Sequence, residues 1–265
     1  LFLCKSRFIP KEEERSFIVG YLFLQHLCTE LRLDAICRKI KRRHQYNYNL
    51  SAILADLIFA RILSPASKWS SYEFCKTLLE PPRYTLQNLY RALSVIAEES
   101  DFIQEELYRN SNFIHPRNRT VLYYDCTNYY FEIEEAEGMK QYGKSKEHRP
   151  NPIITMGLFM DADGIPLSFD MYPGNQNEQT TLKPLETKII RDFGCSRFIY
   201  CSDAGLGSKA NRRFNSLNGR QYVITHSLKK MKQEDRDVAL DSRHFRAPGS
   251  RNFINISTLD ESDKQ

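Results

Sequence analysis

The sequence contains no C-x-x-C pair. Its seven cysteines (4, 28, 37, 75, 126, 195 and 201) are an odd, scattered set, which argues against a disulfide framework and a zinc finger and points to a reducing compartment. Long hydrophobic runs are also missing. The stretch from Phe17 to Leu24 is far too short to span a bilayer, and Leu50 to Leu63 is interrupted by Asp56 and Arg61, so no membrane segment is expected. No charged start, apolar run and small-residue cleavage site opens the chain, so secretion is not expected. Internal repeats and low-complexity tracts are absent. A strong excess of one charge is absent too: the formal net charge is +5 and the pI about 8.7, which suits a polyanionic partner but is ordinary for a cytosolic protein.

What is present is ample material for a core. Of 265 residues, 41% are hydrophobic and 12% aromatic, enough for one large domain or two modest ones. From about Glu12 to Asn112 the apolar spacing is helical. It is clearest at Leu50, Ile53, Leu54, Leu57 and Ile58, and again at Leu86, Leu89, Tyr90, Leu93 and Ile96, which predicts two amphipathic helices. Ser64-Pro65 and Pro81-Pro82 are helix stops, and Thr85 and Ser100 have the chemistry of N-caps. Residues 1–115 therefore read as an all-helical region.

Near Arg117 the pattern changes. Val121 to Tyr124 and Tyr129 to Phe131 are rich in β-branched and aromatic residues, and further strands are predicted at Ile153 to Met160, Pro166 to Tyr172, Arg197 to Ser202 and Gln221 to Thr225. Asp163-Gly164 is expected to be a two-residue hairpin turn. Helices are predicted at about Glu178 to Phe193 and Ser208 to Leu217. Three strands, helix, strand, helix, strand is an α/β order that resembles the ribonuclease H fold, a mixed-sheet core over residues 116–265. Beyond Leu228 the chain is charged and without clear periodicity, Lys229-Lys230-Met231-Lys232 giving way to Glu234-Asp235-Arg236-Asp237.

Two carboxylates stand out. Asp125 ends the apolar strand Val121 to Tyr124, where the sheet can hold its backbone firmly. Asp203 takes the equivalent place after Phe198-Ile199-Tyr200-Cys201, 78 positions downstream, and a ribonuclease H sheet order would set the two strands side by side. Adjacent carboxylates repel, so their natural use is to hold Mg²⁺ ions, which in two-metal sites sit about 3.5–4 Å apart and stabilise both attacking and leaving oxygens of a phosphodiester. Alternatively, each Asp caps a turn at a strand end.

Around these residues the sequence resembles the bacterial insertion-sequence DDE transposases. Tyr124-Asp125-Cys126-Thr127 is followed by Tyr142-Gly143-Lys144-Ser145-Lys146-Glu147-His148-Arg149-Pro150, then Gly157-Leu158, Asp163-Gly164-Ile165-Pro166, Pro173-Gly174-Asn175, Glu178-Gln179-Thr180 and Ser202-Asp203-Ala204-Gly205-Leu206-Gly207-Ser208 with Asn211. The likeness covers roughly residues 85–226 and is greatest to the insertion sequence 4 group, including its 1634-type members. It implies metal-dependent cleavage at transposon ends and strand transfer into target DNA. Asp125 would bridge two Mg²⁺ ions, with Mn²⁺ able to substitute, and Asp203 would hold one, activating water or a 3′-hydroxyl for in-line attack. It further implies terminal inverted repeats and target DNA as partners, a homodimer on paired ends, and a bacterial, nucleoid-associated location in the cytoplasm. The family also needs a Glu on a helix beyond a β-rich insertion, within a spaced Tyr, Arg, Glu, Lys pattern, and that pattern is absent. Glu234, in a charged stretch read as loop, and Glu261, four residues from the end, are assigned no role. The missing acid is what a chain that stops inside the insertion would show, and the initial Leu1 is what a fragment would show.

Basic residues supply the candidate DNA contacts. Lys144, Lys146, His148 and Arg149 fall in a loop between the first two strands, where they could grip phosphates or form a solvated hairpin. His148 lacks a partner at ligand spacing, so DNA contact is favoured over a metal or acid role. From Ala204 to Gln233 there are seven basic residues (Lys209, Arg212, Arg213, Arg220, Lys229, Lys230 and Lys232) and no acidic one, which suits a DNA-facing surface or a solvated helix face. Arg38, Lys39, Lys41, Arg42 and Arg43 end a predicted helix, where cations also complement its dipole. Recognition of transposon ends is the other reading, with Trp69, Arg83, Tyr84 and Arg91 on neighbouring helices, though no recognition helix is identified. The tyrosines at 123, 124, 129 and 130 are expected to build the core and its edges rather than stack on a flipped base. Gly205-Leu206-Gly207-Ser208-Lys209 lacks the order of a phosphate loop. Two rivals to a transposase remain: a ribonuclease H-like nuclease without strand transfer, and an inactive remnant that only binds DNA.

Overall fold

The computed structural model describes residues 16–243, 245–246 and 251–259. By contacts the chain divides into two compact units, one of residues up to 119 with 160–169 and 186–195, the other of 120–159, 170–185 and residues from 196 onward.

The first unit contains helices α1 (Tyr21–Glu30), α2 (Leu33–Lys41), α3 (Leu50–Leu63), α4 (Lys68–Cys75), α5 (Leu86–Glu98) and α6 (Ser100–Ile114). Short polar residues start three of them by taking an otherwise unbonded N–H. Asn49 accepts from Ala52 N at 3.1 Å, Ser67 from Ser70 N at 3.1 Å, and Thr85 closes a reciprocal capping box with Asn88. α3 stops at Ser64 because Pro65 disfavours a helical residue before it. Ser100 is not the expected cap: Glu99 holds that position, and Ser100 lies inside α6 with its Oγ accepting from Gln104 Nε2 at 3.1 Å. Ile36, Ile40, Ile53, Leu89, Ala92 and Ile103 form one buried cluster, and Tyr21, Phe59, Ala60, Cys75 and Leu78 another. Tyr90 departs from the expected stripe, since the buried face of α5 runs through Leu89 and Ala92 and leaves it 49% exposed. No single helix among the described residues is long and apolar enough to cross a membrane; α3 and α4 pass that test only together and are bent by 99° at their break.

Asp56 sits within the apolar helix α3. Burial raises its carboxyl to about 6, against the pull of a 2.8 Å bond from the Tyr84 hydroxyl, and Glu80 adds to the rise. The folded state thus keeps a proton that the unfolded chain has released above about pH 4. Stability contributed by this group is therefore greatest in acid and falls as pH rises from about 4 to about 6, with a constant penalty above. Asp56→Asn, which can still accept from Tyr84, is expected to stabilise the protein by about 1–2 kcal/mol at pH 7.5 and by almost nothing near pH 4. Urea unfolding at the two pH values checks this, and an equal effect at both would refute it.

The mixed sheet comprises β1 (Val121–Tyr130), β2 (Ile153–Met160), β3 (Pro166–Pro173), β4 (Ile199–Ser202) and β5 (Gln221–Ile224), in the order β3-β2-β1-β4-β5. β4 is parallel to both β1 and β5. β1 is one continuous ten-residue strand rather than two runs. The β2–β3 connection is longer than the expected two-residue turn because the Asp161 side chain accepts from Asp163 N (3.1 Å) and Ile165 N (2.9 Å), wrapping five residues, 161–165, with Gly164 at φ 75°. Between β3 and β4 runs α7 (Glu178–Asp192), and between β4 and β5 the short α8 (Lys209–Phe214), which ends three residues before the expected Leu217. A helical region followed by this five-stranded sheet is the α/β, ribonuclease H-like arrangement that the element order predicts. Residues 233–240, expected to be irregular, form α9 (Gln233–Leu240), with Glu234 and Asp235 in its first turn complementing the helix dipole.

Alternation along β1 buries Leu122, Tyr124 and Cys126 and leaves Tyr123 and Asp125 on the other face. The Tyr124 ring packs on Phe159 at 4.6 Å, and its hydroxyl shares a 2.5 Å bond with Thr181 Oγ1 of α7. A Cβ at Gly157 would collide with that phenol, so glycine is what lets Tyr124 reach the helix.

Candidate functional site

Parallel pairing runs β1 and β4 side by side toward the two candidate carboxylates. β1 and β4 match Val121 with Ile199, Leu122 with Tyr200 and Tyr123 with Cys201, an offset of 78. Carried two residues further, one past the end of β4 at Ser202, that register would bring Asp125 level with Asp203. Alternation puts Asp125 on the face of Tyr123, opposite the buried Tyr124, and Asp203 directly follows the last residue of β4. Both aspartates are exposed.

Local bonds hold each carboxylate. Asp125 Oδ1 accepts from Cys126 N at 2.7 Å, and Asp203 Oδ1 caps a one-turn 3-10 helix (Ala204–Leu206) by accepting from Leu206 N at 3.2 Å. That turn is itself pinned: Gln179 Nε2 donates to Gly205 O at 3.0 Å, and the buried Asn211 amide donates to Leu206 O (2.9 Å) and Gln179 O (3.0 Å). The capping alternative and the ligand reading are therefore compatible at Asp203, because a cap occupies only one of its oxygens.

The basic loop lies beside Asp125. Lys146 Nζ is 3.7 Å from Asp125 Oδ1 and also donates to the Cys126 carbonyl. Asn128 ties the loop to β1, accepting from Lys146 N and donating to Lys144 O, each at 3.2 Å. Two glycines make this placement possible. A Cβ at Gly143 would strike the Gly174 carbonyl, and one at Gly174 would strike the carbonyls of Gln141 and Ile153. Ser145 closes the following turn by accepting from His148 N through its carbonyl and from Arg149 N through its hydroxyl, each at 3.3 Å. His148 is exposed, with φ 56°. Arg149 stacks over the Tyr130 ring at 4.2 Å and pairs with Glu147 at 3.0 Å, so part of its charge is answered locally.

Other candidates fare differently. Lys209, Arg212 and Arg213 are exposed on α8. Arg220 is a correction to the DNA-facing run: it is buried, packed over Phe214 at 4.9 Å, and donates to the Phe214 carbonyl at 2.8 Å. In the cluster ending α2, Arg38 pairs with Asp34 at 2.6 Å, Lys39 with Glu106 and Arg43 with Glu99, while Lys41 and Arg42 are exposed. Three of those five cations thus have an acidic partner, and all five are exposed. Glu234 lies in α9, and Glu261 lies outside the described residues.

Glu178, the first residue of α7, is the acidic neighbour that composition and spacing did not single out. Burial pushes the Cys126 thiol up, hydrogen bonds with Thr181 and Tyr124 oppose this, and the carboxylates of Glu178 and Asp125 add to the rise. Among the described residues, however, no three His, Cys, Asp or Glu side chains are grouped closely enough to hold a metal ion. Asp125 lies in the middle of β1 rather than ending it, and Asp203 directly follows β4; as hard oxygen donors the two suit Mg²⁺, which keeps several waters and is commonly held by one or two carboxylates plus substrate phosphates.

No family model matches the chain, and no curated protein matches it. Among solved structures it is similar to a Mos1 transposase paired-end complex with left transposon end, at 13% identity and a TM-score of 0.27 over 68% of this chain and 60% of that one. It is also similar to a Mos1 mariner paired end complex with Mn, at 11% identity and a TM-score of 0.27 over 76% and 67% of the two chains. The chain thus spans about 60% of the first of these structures. Its fold class rests on its own strand order.

Proposed function

We propose that this chain is a helical region, residues 1–115, joined to part of the catalytic core, residues 116–265, of a DDE-type DNA transposase of the insertion sequence 4 group. Asp125 and Asp203 hold Mg²⁺, or Mn²⁺ in its place, for phosphoryl transfer at transposon ends and into target DNA. The observation that carries this reading is the 78-residue offset between β1 and β4, which equals the spacing of the two aspartates. The motif order around them supports it. Lys144, Lys146, His148 and Arg149 on the loop, Lys209, Arg212 and Arg213 on α8, and Arg38, Lys39, Arg42 and Arg43 at the end of α2 meet the DNA backbone, and a homodimer brings two ends together.

One observation favours a second reading, DNA binding without cleavage: the described residues group no third acid with the pair. The test is to incubate this chain, and separately the product of the full reading frame that contains it, with duplexes carrying the flanking inverted repeats and Mg²⁺ or Mn²⁺. End cleavage followed by strand transfer is expected of the full reading-frame product. Nicking without joined product would favour a nuclease, and salt-sensitive binding without cleavage by either would favour the second reading.

A further inference from the structure

Lys146 is the nearest described cation to Asp125, and the structure holds it there deliberately rather than leaving it to sample solvent. Its backbone N–H is fixed by Asn128 Oδ1, the preceding Lys144 carbonyl by Asn128 Nδ2, and its ammonium bonds the Cys126 carbonyl while lying 3.7 Å from Asp125 Oδ1. The main chain of the loop cannot drift away, because Gly143 and Gly174 are in backbone contact that no side chain would allow. An exposed lysine otherwise loses side-chain entropy for little gain when it pairs with an exposed carboxylate. Two anchors from one asparagine fix the main chain from which the Lys146 side chain starts, and the bond to the Cys126 carbonyl then holds its ammonium beside Asp125.

Resting on the metal-site reading, we propose that Asn128 is a positioning residue which sets Lys146 as a resident counter-cation on Asp125, so that a divalent cation must compete with the ammonium for the carboxylate. In this arrangement Asp125 stays neutralised and oriented before metal arrives. Lys146 then gives up the carboxylate while remaining tethered to the Cys126 carbonyl, at a distance from which its remaining N–H donors can meet an incoming phosphate. The same residue opposes metal binding in the free protein and assists anion binding in the loaded one.

The test reads Mn²⁺ binding to the intact chain without DNA, by the loss of the free-ion paramagnetic resonance signal. Lys146→Met should tighten Mn²⁺ binding roughly three- to tenfold, the scale of one removed neighbouring charge at a solvent-exposed site, whereas Lys146→Arg should stay near wild type. Asn128→Ala should shift affinity in the same direction by less, and should have no further effect in the Lys146→Met background, a coupling that a merely structural asparagine would not show. If Asp125→Asn abolishes Mn²⁺ binding but Lys146→Met leaves it unchanged, the counter-cation role is wrong and the metal site stands. If Asp125→Asn leaves Mn²⁺ binding intact, the metal-site reading falls and this proposal falls with it.

Discussion

Asp125→Asn is expected to leave the thermal unfolding of the protein within a few degrees of wild type and to cut metal-dependent cleavage at least about a hundredfold, the cost of removing one group that stabilises developing charge in a phosphoryl-transfer site. The separation of the two effects follows from geometry. Asp125 is exposed and contributes one local bond, to Cys126 N, which an asparagine oxygen can also accept. What asparagine lacks is the negative charge that makes the carboxylate a hard cation ligand. Asp203→Asn should behave alike, since its bond from Leu206 N also survives the exchange. The assay is end cleavage by the full reading-frame product with a melting curve on the same preparation. Activity within a few fold of wild type at either position would remove that aspartate from the metal site.

Arg117→Met is expected to have the opposite profile, a large loss of stability. Arg117 and Asp161 form an ion pair at 2.5 Å with side chains 3% and 0% exposed. The guanidinium also donates to Ser111 Oγ (3.0 Å), Ile165 O (2.9 Å) and Pro166 O (2.8 Å), and Asp161 Oδ1 fixes the 161–165 turn. Removing one partner leaves a buried charge uncompensated, which costs about 3–5 kcal/mol, or on the order of 10 °C in melting temperature for a chain of this size. The double variant Arg117→Met/Asp161→Asn should recover much of that, because the orphaned charge is then gone while the amide oxygen can still accept from Asp163 N and Ile165 N. A single-variant loss below about 1 kcal/mol in urea unfolding would mean that the pair is hydrated in solution.

Much of this architecture could be read from the residues, because the informative features are local. The capping chemistry of Thr85, the β-rich change near Arg117 and the alternation of β1 depend on neighbours a few positions away, and they predict elements well. The pairing of Asp125 with Asp203 required a sheet order, which the sequence supports only through the succession of elements. Features that depend on tertiary contact were misread. Arg220 belongs by composition to a basic run, yet two phenylalanine rings and a carbonyl draw it inward. Ser100 has cap chemistry but lies one residue too late. The charge pattern from Glu234 hides a helix because few apolar residues mark its face, none of them buried. Gly143, Gly174 and Gly157 appeared only as letters of a motif, since close backbone or side-chain approach leaves no periodic trace.

The parallel register of β1 and β4 also determines which length changes the gene could tolerate. Residues gained or lost in the connections before Ile199 alter loops and leave the pairing untouched. A single residue deleted within Ile199–Ser202 is another matter: the later side chains of that strand would switch faces and the approach to Asp203 would change with them. Four residues of strand are thus less forgiving of a shift in length than the loops that join the elements between β1 and β4.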